Sequence, residues 1–492
     1  MAELSTLTKL QLRDRIRGCI LGNALGDAYG LATEFMTAKQ AEQRYGNGPI
    51  AFGRDSGYPV WEDPHRAFEQ RNDFTDDTDQ LLVLLQSLEQ TGNGKLCARN
   101  FANRLIEWRN YGIPEIGTEP GRGLGYTVSR VMEHPAFLLN PHRAAFEVWD
   151  SEERNLAPNG ATMRTGVIGV ETFWDEPRVV ENAMAAAKVT HVDPRSVVSA
   201  VISSVLISRL LRGGGEDKAE DMARTWNPKL TQPDYRQELL AYLERGTTLK
   251  GNSSLNPTYE PDTEANRFRR KDYVACATQL AAKDAESGAP KPVKDQNPSQ
   301  WNKGRPDVTH RPSIGWAGID QVGDDEAMAP LARSVFNDYK FLLQQTDVVP
   351  IDTSSPERVQ ERWANAMETM CFPPSLHSLE LGCGRAMGYT FKCIGIAYYG
   401  ATRRLDLSPT LPEYHGPAGL FRGLMEQVTL EAGDADTNCA VMGSLLGARF
   451  GLENGLPSTW WEELQHLEWL NTTLDKYIEH VMTNYDVQCS AE

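Results

Sequence analysis

The sequence predicts an all-α protein, a mainly helical domain interrupted by a large irregular insertion. Apolar residues recur at helical spacing through most of the first 212 residues and again towards the end of the chain. No stretch shows a convincing alternation of apolar and polar residues, the pattern that a half-buried β-strand requires. The residues between the two helical parts are polar, and residues 291–312 are especially rich in Pro, Asn, Lys and Gln, which favours irregular structure.

The first predicted helix covers residues 7–31 and carries a row of small residues, Gly18, Gly22, Ala24 and Gly26, that would let a second helix approach closely. Loops are expected at 45–72, which is rich in Gly, Pro and aromatic residues, and at 112–125, which is punctuated by glycine. Apolar spacing predicts further helices at 77–90, 97–111, 161–172, 179–190, 194–211, 375–402, 416–450 and 456–481.

These elements divide the chain into three parts. Residues 1–212 and 371–492 are predicted to form the two halves of one helical catalytic domain. Residues 213–370 are predicted to be an insertion, part of which is mobile.

Composition excludes some classes of function. The chain has 492 residues and a formal net charge of −17, so it is not expected to bind nucleic acids in general, because phosphate contacts need a basic face. Eight dispersed cysteines without a C-x-x-C pair are typical of reduced thiols in a cytosolic protein. The polar first residues predict no signal peptide, and the uncharged apolar run at 197–207 is too short to span a membrane. We therefore expect a soluble protein of the cytoplasm, or of the nucleus.

Two short acidic motifs lie far apart in the chain, Thr75-Asp76-Asp77-Thr78-Asp79 and Asp434-Ala435-Asp436-Thr437-Asn438. Each precedes an apolar stretch that is predicted to be helical. Helix capping explains one or two acidic residues there, but three aspartates in four positions repel one another unless a cation neutralises them. Two hard divalent cations close together need several oxygen ligands, so the motifs predict the two halves of one metal site.

The second motif also looks like the start of an EF-hand calcium loop. That loop needs glycine at its sixth position and glutamate at its twelfth, where this chain has Cys439 and Leu445. A calcium loop of this kind is therefore excluded, and capping stays open as the simpler alternative.

Several weaker signals have ordinary explanations when they are taken alone. Glu34 is most simply a surface residue, and His191 a helix cap or a core residue. The loop Gly121-Arg122-Gly123-Leu124-Gly125 could hold a phosphate with its amides, but no strand precedes it, so a Rossmann site is excluded. Asn159-Gly160 is also compatible with a simple turn.

Taken in order, six blocks of this sequence resemble the ADP-ribosylglycohydrolase family, the DraG-like enzymes. The resemblance covers roughly residues 10–210 and 375–480, and residues 213–370 have no obvious counterpart in the compact family core. The blocks are Arg17-Gly18-Cys19-Ile20-Leu21-Gly22-Asn23-Ala24-Leu25-Gly26-Asp27-Ala28, Thr75-Asp76-Asp77-Thr78, Asn159-Gly160-Ala161-Thr162-Met163-Arg164, Thr190-His191, Gly388-Tyr389-Thr390-Phe391-Lys392 and Gly433-Asp434-Ala435-Asp436-Thr437-Asn438.

The resemblance implies an all-α orthogonal helical bundle that holds two divalent cations, Mg²⁺ or Mn²⁺. It implies ligands from one side at Thr75, Asp76 and Asp77, and from the other side at Asp434, Asp436 and Thr437. Glu34 would lie on a flexible loop near the metals. Residues implied around the ADP-ribose are Asn159, Gly160, Met163, Arg164 and His191, with Gly121, Gly123 and Gly125 near the diphosphate.

The implied activity is hydrolysis of the glycosidic bond between ADP-ribose and an acceptor such as a protein side chain. Asp76, Asp436 or Glu34 would accept the proton of the attacking water, and Asp77 would be indispensable for activity. Some family members carry an aspartate in a G-x-x-D-[IV]-G segment that meets the scissile linkage. Here Glu115 occupies that position, in Gly112-Ile113-Pro114-Glu115-Ile116-Gly117, and its role is a hypothesis.

Two other functions remain open at this point. The chain could hydrolyse a small nucleotide or nucleoside conjugate, or it could bind ADP-ribose without catalysis. The complete set of ligands argues against the second alternative, since a binding protein has no need of it. The expected partner is ADP-ribose or an ADP-ribosylated protein. The sequence leaves open the acceptor residue, the choice between Mg²⁺ and Mn²⁺, and the oligomeric state.

Overall fold

The structure is a computed structural model that describes residues 5–66, 71–92, 94–215, 226–244, 323–350, 355–384, 386–405 and 412–491. Within these ranges all regular secondary structure is helical, and β-structure is limited to isolated bridges. The predicted all-α fold class is confirmed. All seven described cysteines are free thiols, and five of them are buried.

The helices follow the predicted order closely in the first 212 residues. Most begin with a side-chain cap or a proline in the first turn, as the helix-start signals in the sequence require. The bounds are α1 Lys9–Gly30, α2 Ala38–Tyr45, α3 Asp76–Thr91, α4 Ala98–Tyr111, α5 Tyr126–Met132, α6 Pro141–Ser151, α7 Gly166–Glu171, α8 Glu176–Lys188, α9 Pro194–Leu211, α10 Pro233–Glu244, α11 Met328–Tyr339, α12 Phe341–Gln344, α13 Pro356–Cys371, α14 Thr390–Thr402, α15 Gly416–Glu431, α16 Ala435–Phe450, α17 Ser458–Trp461 and α18 Leu467–Ala491.

Helices α1 and α16 pack backbone against backbone along the row of small residues. A Cβ atom at Gly22 would overlap the carbonyl oxygen of Gly443, and one at Gly26 would overlap that of Cys439. Only glycine permits so close an approach. The contact holds the C-terminal half of α1 against the first turn of α16, which brings together two segments from opposite ends of the chain.

Helix α9 runs through the middle of the core, and all of its residues are buried. It contains the apolar run at 197–207 and, with both flanks included, is long and apolar enough to cross a membrane. Its complete burial inside the protein is the pattern of a core helix, and among the described residues no second helix meets the same criterion.

Four helices, α10 to α13, fall within residues 213–370, where the sequence predicted irregular structure. That prediction is wrong for these stretches, because short apolar faces recur at helical spacing there between many polar residues. Two contacts fasten them to the core: Arg209 Nη2 pairs with Asp338 Oδ2 at 2.7 Å, and Lys188 Nζ donates to the Leu243 carbonyl at 3.0 Å. The polar loop at 291–312 lies outside the described residues, and the division at residues 212 and 370 stays a prediction.

Candidate active site

Helix α3 is capped from outside its own sequence. Thr75 occupies the N-cap position but makes no capping hydrogen bond with its side chain. The carboxylate of Asp27, on α1, instead accepts hydrogen bonds from the backbone N–H groups of Thr75 and Thr78, both at 3.0 Å. It also accepts from their hydroxyls, at 2.8 and 2.6 Å. Two free amides of this helix start are thus satisfied without Asp76 or Asp77, whose carboxylates remain available for another purpose.

Buried carboxylates from four parts of the chain converge beside this cap. The oxygens of Asp27, Asp77 and Asp436 lie within 4.8 Å of one another, and so do those of Glu34, Asp434 and Asp436. All five residues are buried, and Asp436 belongs to both groups. The arrangement provides two adjacent sets of oxygen ligands with a carboxylate in common.

The electrostatics of this cluster favour bound cations. Burial, followed by the charges of neighbouring carboxylates, holds the pKa values of Asp76, Asp77 and Asp436 well above their ordinary range. Burial likewise raises the pKa values of Asp27 and Asp434 to about 6. Buried Asp77 Oδ1 and Asp436 Oδ1 find no hydrogen-bond partner in the part of the protein that the structure describes. Unpartnered carboxylate oxygens among like charges are the donors that hard divalent cations take, so the residues fit a pair of such ions.

Glu34 reaches the cluster because the turn after α1 pairs with the segment before α16. The Phe35 N–H donates to the Gly433 carbonyl at 2.6 Å, and the Gly433 N–H donates to the Met36 carbonyl at 2.9 Å. His65 Nε2 lies 2.5 Å from Glu34 Oε2. Glu34 is therefore buried next to Asp434, and its interpretation as a surface residue is wrong.

The glycine loop at 121–125 touches the acidic cluster. A Cβ atom at Gly123, where φ is +67°, would overlap Asp76 Oδ1. Gly121 lies against the backbone of Arg109, and Gly125 is the N-cap of α5. The loop thus forms a wall of the site beside Asp76, while its contact with a diphosphate remains a prediction.

A hydrogen-bonded chain leads away from Asp76 through the interior. Gln80 Nε2 donates to Asp76 Oδ2 at 2.8 Å, and Arg164 Nη1 donates to Gln80 Oε1 at 2.8 Å. Arg164 Nη2 donates to Thr190 Oγ1 at 2.5 Å, and Thr190 Oγ1 lies 2.7 Å from His191 Nδ1. Arg164 has no solvent exposure and holds Gln80 and Thr190 in position, and its role as a substrate contact stays a prediction.

Of the other predicted substrate residues, one contacts a carboxylate of the acidic cluster and the others contact neighbouring residues. Asn159 Nδ2 donates to Asp434 Oδ2 at 2.7 Å, and Gly160 packs against the His191 ring. Burial, and then the charge of Arg164, lowers the pKa of His191 well below its ordinary value, so this ring is neutral. Met163 is buried, and its carbonyl accepts from Asn23 at 3.2 Å.

Three further predicted residues have clear positions. Thr75 donates to Asp27 as described, and a hydrogen bond from the Thr437 side chain offsets part of the effect of burial, which raises the pKa of Asp77. Glu115 is exposed in the turn that follows α4 and belongs to neither group of carboxylates. Its proposed role at the scissile linkage remains a prediction.

Two residues of the site carried no role in the sequence-based assignment. Asp27 lies in the Gly18–Ala28 block, and the glycine row beside it was the available signal, because it indicates a helix packed closely at that point. His65 lies in a loop with no recognisable pattern, and we find no sequence signal that would have paired it with Glu34.

Comparison with known proteins agrees with the site. The sequence profile described as ADP-ribosylglycohydrolase matches residues 8–287 and 317–488. The chain belongs to the ADP-ribosylglycohydrolase family. The match spans most of the chain, including both acidic motifs and the Asp27 segment.

The individual relatives of this chain are distant. The ADP-ribosyl-[dinitrogen reductase] glycohydrolase of Rhodospirillum rubrum is 26% identical over 42% of this chain and 62% of its own length. The ADP-ribosylarginine hydrolase Tri1 of Serratia proteamaculans is 24% identical over 42% of this chain and 50% of its own length. The chain thus spans about half to three fifths of these relatives. A solved structure described as an ADP-ribosylglycohydrolase-related protein complex is similar with a TM-score of 0.47 and 18% identity, covering 96% of this chain and 99% of that one.

Proposed function

We propose that this protein is a metal-dependent hydrolase that cleaves the glycosidic bond between ADP-ribose and an acceptor side chain, with a binuclear Mg²⁺ or Mn²⁺ centre. The observation that carries the proposal is the pair of buried carboxylate groups that share Asp436. Membership of the family, and the printed names of the two relatives above, support the choice of ADP-ribose as the substrate group.

Asp27, Asp77 and Asp436 would hold one cation, and Glu34, Asp434 and Asp436 the other. When bound, the cations would neutralise the cluster and stabilise negative charge on oxygen during bond cleavage. Asn159 orients Asp434 through its amide, and the neutral His191 ring beside Gly160 adds a polar edge without adding charge.

Asp76 is the carboxylate best suited to accept a proton from the attacking water. It lies outside both metal groups, and Gln80 fixes one of its oxygens. Burial and neighbouring charges raise its pKa well above the ordinary value, which makes its carboxylate a stronger base. The chain of Gln80, Arg164 and Thr190 holds this group in one orientation.

A bound cation pair also distinguishes this proposal from a non-catalytic ADP-ribose binder. Keeping this many carboxylates buried together costs free energy in the metal-free fold, as their raised pKa values show. A protein that only bound ADP-ribose would lower this cost by losing one or two of them.

The full chain is expected to release free ADP-ribose from arginine-linked or serine-linked conjugates when Mg²⁺ or Mn²⁺ is present. Release should stop with a chelator and return when the metal is restored, because the carboxylates alone repel one another. The measurement is chromatographic quantification of ADP-ribose from both substrates. Tight ADP-ribose binding with no release from either substrate would contradict the proposal and favour a binding protein.

Substitution of Gly123 by alanine is expected to lower activity about 10- to 100-fold, because a positioned proton acceptor contributes about 10²- to 10⁴-fold and this variant displaces it. The new Cβ would overlap Asp76 Oδ1 and push this carboxylate away from its position. Gly416→Ala is the matched control, because its φ is +68° and a Cβ there meets nothing within 4 Å. Initial rates and melting temperatures of both variants check the prediction, and equal rates for the two would contradict it.

A further inference from the structure

Large apolar side chains are exposed on two segments that meet at Glu34, the turn after α1 and the loop at 45–66. Among the described residues eight large apolar side chains are exposed, and four of them fall between residues 35 and 61. The exposed fractions are 59% for Phe35, 49% for Tyr58, 41% for Val60 and 48% for Trp61. We call these four residues the apolar rim. A cluster of exposed apolar side chains on a protein of this charge marks a contact surface more often than chance exposure.

The apolar rim begins at the acidic cluster itself. Phe35 directly follows Glu34, and its backbone is held in the left-handed region, with φ +58°. A phenylalanine is rarely kept there, and this conformation leaves its ring in solvent. The ring lies 5.2 Å from that of His65, whose Nε2 contacts Glu34. Phe35 therefore exposes its ring directly next to Glu34, a buried residue of the acidic cluster.

Trp61 is fastened to the same turn. Its backbone N–H donates to the Tyr45 hydroxyl at 2.9 Å, and that hydroxyl donates to the Ala32 carbonyl at 3.0 Å. The Arg66 Nε atom donates to the same carbonyl at 3.1 Å. The loop that carries Trp61 is thus tied by hydrogen bonds to the segment that carries Glu34 and Phe35.

The charged residues near Trp61 indicate which kind of partner this surface would bind. The Arg44 guanidinium lies 4.3 Å from the centroid of the Trp61 ring, which shows that this ring stacks with a guanidinium. Asp63 is paired with Arg44 and Arg66, whereas the exposed Glu62 has no ion pair or hydrogen bond with the described residues. Glu62, next to Trp61, therefore presents an exposed negative charge without a partner among the described residues, which suits a basic side chain of a docked partner.

We infer that the apolar rim is the docking surface for the polypeptide that carries the ADP-ribosyl group, and that this polypeptide has apolar and basic residues next to its modified side chain. The inference rests on the proposed function. A sugar held at the buried carboxylates leaves its acceptor pointing towards solvent, and a polypeptide acceptor must then lie on the surface around the opening. Exposed Trp, Tyr and Phe side chains supply most of the binding free energy in protein contacts. A small acceptor would not reach Trp61.

The test compares two substrates with the same linkage, an ADP-ribosylated protein and the free ADP-ribosylated amino acid, in the wild type, Trp61→Ala and Leu10→Ala. Leu10 is 78% exposed on α1 and is the matched control. Trp61→Ala is expected to lower kcat/KM for the modified protein roughly 10-fold, through a higher KM, because a buried interface tryptophan is worth more than a tenfold change. Its kcat/KM for the amino acid conjugate, and both values for Leu10→Ala, should stay at the wild-type level.

The outcomes separate the inference from the proposed function. If the wild type cleaves neither substrate, the proposed function fails and the inference fails with it. If it cleaves the amino acid conjugate but not the modified protein, or if Trp61→Ala affects both substrates equally or neither, the inference is wrong while the proposed function stands. Trp61→Phe keeps an apolar ring and should recover most of the lost activity, which distinguishes docking from misfolding of the loop.

Discussion

Replacement of Asp436 by asparagine is expected to reduce ADP-ribose release about 10²- to 10⁴-fold. Asp436 belongs to both carboxylate groups, so the single substitution weakens both cation positions at once. A bound cation contributes several kcal/mol to the stabilisation of a transition state, and each 1.36 kcal/mol corresponds to a tenfold change in rate. The measurement is kcat/KM at saturating Mg²⁺ or Mn²⁺, on the substrate that the wild type cleaves.

The same variant, Asp436→Asn, loses activity but is expected to gain stability when no metal is bound. Asp436 is buried among like charges, and one of its oxygens has no partner among the described residues. Burial raises its pKa well above the ordinary value. Removing its charge should therefore raise the melting temperature of the metal-free protein. The wild type should gain stability from added cation, about 2.7 kcal/mol at a concentration of one hundred times Kd, and this gain should be largely lost in the variant.

Asp475→Asn is the matched control for both measurements. Asp475 is an exposed aspartate of α18 whose partner is Arg17, so the same chemical change occurs there in an ordinary surface ion pair. Its activity and its response to cation should match those of the wild type. If Asp436→Asn kept wild-type activity, or if it destabilised the metal-free protein, the assignment of Asp436 to a shared metal position would be wrong.

The two acidic motifs were predictable because each holds its carboxylates within a few adjacent residues. Asp76 and Asp77 occupy the first turn of α3, and Asp434 and Asp436 flank the start of α16. Helix starts fix such short segments locally, so the pattern in the sequence and the arrangement in space coincide. The glycine row in α1 likewise indicated a close helix contact, although it did not identify α16 as the partner.

The argument from three neighbouring aspartates was only partly right. Asp79 does not join the metal groups, because Trp108 Nε1 donates to it at 2.9 Å and Arg122 lies 3.4 Å away. Its pKa is about 6, since burial outweighs the effect of Arg122. Sequence spacing could not reveal these partners, which come from α4 and from the glycine loop.

Site residues that do not belong to an acidic motif could not be predicted from the sequence, for a physical reason. Asp27 is a single aspartate within α1, and its position depends on the packing of α1 against both α3 and α16. Burial of Glu34 depends on backbone pairing with Gly433, which is distant in sequence. No local pattern records a contact between segments so far apart, and an isolated glutamate is on average a surface residue.

Stabilisation by Mg²⁺ or Mn²⁺ is expected to be larger at pH 7.5 than at pH 5.5. In the metal-free fold, Asp27 and Asp434 have pKa values of about 6, against an ordinary value of 3.8. A raised pKa gives a contribution to stability that is complete below 3.8 and is lost as pH rises through 6. The metal-free protein should therefore be less stable at pH 7.5, where these carboxylates are charged and mutually repelled.

A bound cation removes this loss of stability, because the carboxylates then carry their charge next to a positive ion. At pH 5.5 protons compete with the cation for the carboxylates, so the gain from the cation is smaller there. The buried rings of His142 and His191 have lowered pKa values and act in the opposite direction in acid, but they do so with and without metal and cancel in the difference. One pKa unit corresponds to about 1.4 kcal/mol, and the carboxylates titrate as a coupled group, so the gain from cation should differ between the two pH values by on the order of 2 kcal/mol. Urea unfolding at each pH, with saturating cation and with chelator, measures that difference. An equal gain at both pH values would show that the cation binds away from these carboxylates, since only their neutralisation couples the binding of metal to the titration of Asp27 and Asp434.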